Sequence, residues 1–165
     1  MNSRVAEVIR LREAGKLDEA RVLALELVAD QPDDPAVNYH CAWCHDVLGL
    51  ERDAVPFYER AIARGLRDED LEGALLGLGS TYRGLGEYRN AIETLGKGAA
   101  QFPDQRSFEV FLAMALYNTG AHAQAMERLL KALAETSSDA SIQRYKRAIL
   151  FYSDKLDERW DDGSS

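Results

Sequence analysis

The stretch Leu78-Gly79-Ser80-Thr81-Tyr82-Arg83-Gly84-Leu85-Gly86-Glu87-Tyr88-Arg89-Asn90-Ala91 decides the fold. Gly86 sits between two helical runs, where a left-handed turn costs least for a residue without a side chain. Ala91 falls early in the second run, where a small side chain lets paired helices approach closely. The same glycine and alanine, five residues apart, recur as Gly15 and Ala20, Gly49 and Ala54, and Gly120 and Ala125. Successive glycines are 34, 37 and 34 residues apart. A period near 34 belongs to helix–turn–helix solenoid repeats. One such unit cannot bury its apolar face alone, so neighbours must stack to make a core. The expected fold is all-α: a right-handed α-α superhelix of about four helix hairpins closed by a C-terminal capping helix. That architecture points to a binding scaffold rather than an enzyme.

Working outward, a single domain over residues 1–160 divides into units at about 3–34, 35–66, 72–105 and 106–139. The first unit reads as helices at 3–14 and 18–29, with Leu17, Ala20, Leu23, Ala24 and Leu27 at helical spacing in the second. Asp34 is placed to cap the next helix, with Pro35 at its first position. The second unit reads as helices at 35–48 and 51–64, with Pro56 near enough to a helix start to be tolerated. Gly65 is a natural stop. Residues 66–70 hold the three extra residues of the longer spacing and read as an acidic surface loop. With Glu72, Asp68, Glu69 and Asp70 form either a solvated cluster or a site for a basic partner. The remaining units place helices at 70–84, 88–101, 105–119 and 122–135. A capping helix is expected at 139–158, with Ser138 as its N-cap and Ile142, Tyr145, Ile149, Tyr152 and Leu156 as one apolar stripe. Residues 161–165 read as a disordered polar tail.

The 165-residue chain is 46% hydrophobic and 29% charged, with a net charge of −8. These fractions suit a soluble fold. Nucleic-acid binding wants a basic stripe, and the sequence has none. An anionic membrane surface would repel this chain for the same reason. No apolar run approaches bilayer length, and residues 1–12 lack a signal-peptide core, so the expected location is the cytoplasm. Two cysteines, Cys41 and Cys44, do not describe a disulfide-stapled secreted domain. The sequence contains no nucleophile elbow, phosphate-cradling glycine loop or His–Glu metalloprotease pair. Neither catalysis nor a cofactor nor a metal is expected.

Leu78-Gly79, Tyr82, Gly86, Tyr88, Ala91 and Pro103 stand in the order of the tetratricopeptide signature. The match recurs more weakly in the other units and covers roughly residues 3–139. Three further stretches, 46–56, 78–83 and 113–118, resemble a small bacterial family of stand-alone tetratricopeptide proteins, the group 5 type. The resemblance implies a protein-interaction role with a protein or peptide partner, and it admits a homodimer. It supplies no activity. Leu11 stands where the third unit has Tyr82, which marks the first unit as a specialised edge. Some tetratricopeptide proteins hold a peptide C-terminus in a polar clamp. Here Gly73 and Gly77 occupy the places of its third-unit members, which argues against a chaperone-tail role.

In such arrays the first helices of successive units line the concave face. Carried over, the lining is Val5, Ile9 and Arg12, then Tyr39, Trp43 and Asp46, then Leu76, Ser80 and Arg83, then Val110, Met114, Tyr117 and Asn118. Tyr39 and Trp43 are the leading contacts, because aromatics and arginines carry most interface energy. Their competing reading is as core residues of the array. Arg83 suits an acidic group on a peptide. Gly73, Gly77 and Gly84 share one helix, each poorer than alanine there, and leave room for a ligand or for another helix.

His40-Cys41-Ala42-Trp43-Cys44-His45 contains C-x-x-C-H, the pattern of c-type haem attachment, and also reads as a zinc or redox site. Haem attachment needs an exported chain, and zinc wants four ligands. The stronger reading is two structural thiols beside partly exposed histidines. The final helix carries more apolar surface than one packed face needs. Leu150, Phe151, Tyr152 and Trp160 are therefore candidates for contact with a second chain. Two alternatives to a peptide-binding scaffold follow. One is a self-associating structural homodimer whose groove is filled by its own C-terminal helix. The other is a redox, haem or metal module at Cys41, Cys44 and His45.

Overall fold

The computed structural model describes residues 3–160. Eight helices form four antiparallel hairpins: α1 (Ser3–Glu13) with α2 (Leu17–Asp30), α3 (Pro35–Asp46) with α4 (Glu51–Ala63), α5 (Asp68–Gly84) with α6 (Tyr88–Gln101), and α7 (Ser107–Asn118) with α8 (His122–Thr136). Two short helices follow, α9 (Ala140–Arg144) and α10 (Lys146–Tyr152). Each helix packs on the next in the chain through α8, and the first helices also touch one another, α1 on α3, α3 on α5 and α5 on α7. That second set of contacts makes the first helices one continuous wall. Among the described residues no helix is long and apolar enough to cross a membrane.

The turn chemistry is the one the sequence predicts. Gly15, Gly49, Gly86 and Gly120 all take positive φ, between +72° and +82°, a region open to glycine and strained for other residues. Gly65 ends α4 in the same conformation. Asp34 caps α3 by accepting a hydrogen bond from the Val37 N–H at 3.0 Å, with Pro35 at the first helical position. The signature alanines Ala20, Ala54, Ala91 and Ala125 are all buried between paired helices.

Two apolar clusters form the core. The first joins α1, α2 and α3 through Val5, Val8, Leu27, Val37, Cys41 and Cys44. The second runs through the later units and centres on Tyr58, Leu95 and Phe108. Phe57 packs against both. Gly98 lets the Phe108 ring lie on the α6 backbone, where a Cβ would collide with it.

Expectations need correction in two places, residues 66–70 and residues 139–158. Residues 66–70 are not a surface loop: Leu66 is buried, and Asp68, Glu69 and Asp70 form the first turn of α5. Three carboxylates at a helix N-terminus are favoured by its dipole. The third unit therefore begins before residue 72. The capping segment 139–158 is not one helix. Its N-cap is Asp139 rather than Ser138, accepting from Ser141 N and Ile142 N. The chain turns at Tyr145, and α10 ends at Tyr152. Gln143 Nε2 donates to the carbonyls of Ala134 and Ser137, which ties α9 to the end of α8, and α10 then packs on α8. The expected stripe is accordingly not one buried face, since Tyr145, Tyr152 and Leu156 are each about half exposed or more. The expected tail, 161–165, lies outside the described residues.

Candidate functional site

Of the thirteen residues expected on the concave face, nine fall into two neighbouring hollows, while Val5, Ile9, Arg12 and Val110 line neither. The first has a volume of about 340 Å³ and is lined by Tyr39, Trp43, Asp46, Leu76 and Ser80, joined by Tyr58, Gly73, Gly77 and Phe111. The second, about 360 Å³, takes Arg83, Met114, Tyr117 and Asn118, with His122, Met126 and Leu129 among its other walls. Ser80 and Arg83 lie about one turn apart on α5, as do Phe111 and Met114 on α7, so the hollows adjoin. No residue of α9 or α10 lines either one.

Trp43 is the most open member of the first hollow, just over a third exposed, while Tyr39 and Tyr58 are buried. The Tyr39 ring lies 5.7 Å from Trp43 and 6.3 Å from Tyr58. Arg12 reaches across from α1 and stacks on Trp43, with its guanidinium carbon 3.6 Å from the ring centroid. Gly73 and Gly77 answer the question left open by their helix: a Cβ at Gly73 would collide with the Tyr39 hydroxyl, and one at Gly77 would come within 2.5 Å of the Tyr58 hydroxyl. Both glycines thus admit tyrosines of the preceding unit onto the α5 backbone. Gly84 meets nothing comparable.

The polar floor of this hollow is Asp46. It accepts from the Tyr58 hydroxyl at 3.2 Å and from Thr81 Oγ1 at 3.0 Å. Burial raises its pKa from the ordinary value, against the lowering effect of the Thr81 and Tyr58 hydrogen bonds, and Glu51 adds to the rise. No ion pair to Asp46 is present among the described residues. Burial pushes the Tyr39 hydroxyl up to about 12, and the nearby charges of Asp70 and Glu72 add to this against Arg12.

The second hollow is built differently. Met114 and Tyr117 are exposed, the latter at 63%. The Tyr117 ring stacks on His122 at 4.6 Å. Arg83 donates to Asn118 Oδ1 at a long 3.5 Å, and its buried Nε has no hydrogen-bond partner among the described residues. A larger hollow of about 490 Å³ lies between α7 and α8, but its charges already pair, Arg106 with Glu135, Arg128 with Glu109 and Lys131 with Glu127.

The C-x-x-C-H stretch lies within α3. Cys41 and Cys44 are free and buried in the first core cluster. Burial, with Cys44 alongside, lifts the Cys41 thiol to about 12, and the Cys44 thiol is raised mainly by burial too. His40 and His45, expected to be partly exposed, are both buried. His45 Nδ1 donates to the Cys41 carbonyl at 2.8 Å. His40 Nδ1 accepts from Arg12 at 3.4 Å, and burial, then the Arg12 charge, holds its pKa down at about 4. Among the described residues no three His, Cys, Asp or Glu side chains are placed to hold a metal ion.

Sequence reasoning missed Tyr58 and Phe111. Tyr58 comes from a second helix, and only first helices were expected on the lining. The legible signal was Gly77 in mid-helix, a vacancy that some aromatic ring had to fill. Phe111 stands 34 residues beyond Gly77, at the same place in the next unit, where a large side chain replaces none.

The family model described as Tetratrico peptide repeat matches residues 35–156. The chain belongs to the tetratricopeptide repeat family. Its fold is that of a protein–protein interaction scaffold, whose repeats curve into extended binding surfaces. Solved structures agree on the fold. YrrB, described as a tetratricopeptide protein with an unusual peptide-binding site, superposes with a TM-score of 0.71 at 14% identity, over 92% of this chain and 77% of that one. A double mutant of MamA from RS-1 gives 0.73 at 16% identity, over 95% and 89%. A kinesin light chain repeat protein of Podosopora anserina gives 0.68 at 19% identity, over 94% and 85%.

Proposed function

We propose that this tetratricopeptide protein binds an extended peptide or protein segment on its concave face and performs no chemistry of its own. The observation that carries this reading is the first hollow, where a solvent-accessible Trp43 stands beside the half-buried carboxylate of Asp46 and two buried tyrosines. Partly buried aromatics are common anchors of polypeptide recognition. YrrB, of the same fold, is described as having a peptide-binding site. A random-peptide display selection on the purified chain tests the proposal. Enriched peptides should lose about tenfold or more in affinity for Trp43→Ala, a hot-spot-sized loss, while the helical circular dichroism signal stays intact. Failure to enrich any peptide, or equal binding to both proteins, overturns it.

A second reading has its own observation. Phe151, Tyr152 and Trp160 form an exposed aromatic cluster, with ring centroids 5.1 to 6.4 Å apart, while Leu150 beside them is half-buried. Self-association through this patch puts the same surface on both sides of a two-fold axis. Light scattering at high micromolar concentration separates the cases: a dimer that Phe151→Ser and Trp160→Ser together dissolve supports it, and a monomer defeats it.

A further inference from the structure

We infer that the first hollow takes a basic side chain, lysine or arginine, of the bound polypeptide. The inference rests on the peptide-binding reading above and specifies its chemistry. Tyr39, Trp43, Tyr58 and Phe111 contribute four aromatic rings, and Asp46 lies at the floor. Aromatic faces attract cations through the ring quadrupole, and most strongly so when the cation is desolvated. The structure already displays this preference, because Arg12 stacks its guanidinium on Trp43 without lining the hollow.

Asp46 supplies the second argument. Its two hydrogen bonds come from neutral hydroxyls, and among the described residues no ion pair compensates its charge. A carboxylate so placed carries an unrelieved desolvation cost. A ligand ammonium or guanidinium beside it supplies the missing charge and a charge-assisted hydrogen bond. The surroundings favour the same sign. Asp70 and Glu72 act on Tyr39, and Glu51 acts on Asp46, against the single opposing charge of Arg12. The chain as a whole carries −8, which steers basic partners toward it. At about 340 Å³ the hollow suits one long side chain rather than a folded element.

The test uses the full chain, labelled with nitrogen-15, and the indole N–H signals of Trp43 and Trp160, its two tryptophans. The probes are the Nα-acetyl amides of lysine, arginine and glutamate. The lysine or arginine probe should shift the Trp43 signal saturably and leave Trp160 unmoved, and the glutamate probe should shift neither. Asp46→Asn, which keeps the shape and removes an uncompensated charge, should weaken the response about fivefold or more. Raising salt from about 50 to about 500 mM should weaken it in the unaltered protein. A Trp43 signal indifferent to both cationic probes, an equal response to glutamate, or an unchanged affinity in Asp46→Asn overturns the inference. If display-selected peptides lacking lysine and arginine still bind through Trp43, the peptide-binding reading survives and the basic-side-chain assignment alone falls.

Discussion

The two hollows share α5 and α7 as walls, yet they differ in how deeply they belong to the fold. The first is framed by Tyr39 and Tyr58, both core residues, and its shape depends on Gly73 and Gly77. The second is framed by Met114, Tyr117 and Met126, all exposed at the end of the array. Tyr39 and Tyr58 belong to the core and line the first hollow at once. A side chain in the second can change with little effect on folding. The difference follows from position: the first has units on both sides, whereas α10 packs on α8 and leaves the second uncovered.

The sharpest way to break this contrast is Tyr58→Ala. Removing a fully buried aromatic should cost about 3–5 kcal/mol in urea unfolding, and a cost below about 1 kcal/mol would mean that the first hollow is not tied to the core. Next comes acid. His40 abuts Tyr39 and Trp43, with ring centroids at 4.9 and 6.3 Å, and its pKa is held at about 4, below the ordinary 6.5. A depressed histidine leaves the unfolded chain binding more protons, so its contribution is full above the unfolded pKa and is lost as pH falls toward 4. The protein should lose on the order of 3 kcal/mol more between pH 7 and pH 4 than His40→Gln does. Parallel pH profiles of the two proteins would remove His40 from the account.

Gly77→Ala should come third. It forces the Tyr58 hydroxyl aside and strains its bond to Asp46, at about 1–3 kcal/mol, measurable as a lowered denaturation midpoint. Smallest is Tyr117→Ala in the second hollow, within about 0.5 kcal/mol of the parent. A larger loss there would show that the open end is more tightly packed than its exposure implies.

Much of this was legible in the sequence, for local reasons. The four turn glycines, the signature alanines and the Asp34-Pro35 cap are each set by backbone sterics or by one capping bond, so reading them needs no tertiary context. Helix α6 begins and ends where the periodicity puts it. Nine of the thirteen expected lining positions border a hollow because repeat register carries one position to the next. What escaped depends on cross-unit packing. Tyr58 enters the hollow only because Gly77, in the next unit, lacks a side chain. His40 and His45 are buried because α3 has neighbours on every side, which a polar residue on a single helix does not announce. The bend at Tyr145 depends on Gln143 reaching back to α8.

Phe57 packs on both apolar clusters, and α3 itself carries both, with Val37, Cys41 and Cys44 in the first and Tyr39 and Ala42 in the second. In proteins generally, terminal segments open at less than the global cost. Arg12 reaches from α1 to rest on Trp43 and His40 of α3. An occupant that presses on the indole therefore has mechanical leverage on the first hairpin. Amide exchange in α1 and α2 becomes a remote gauge of what sits two helices away.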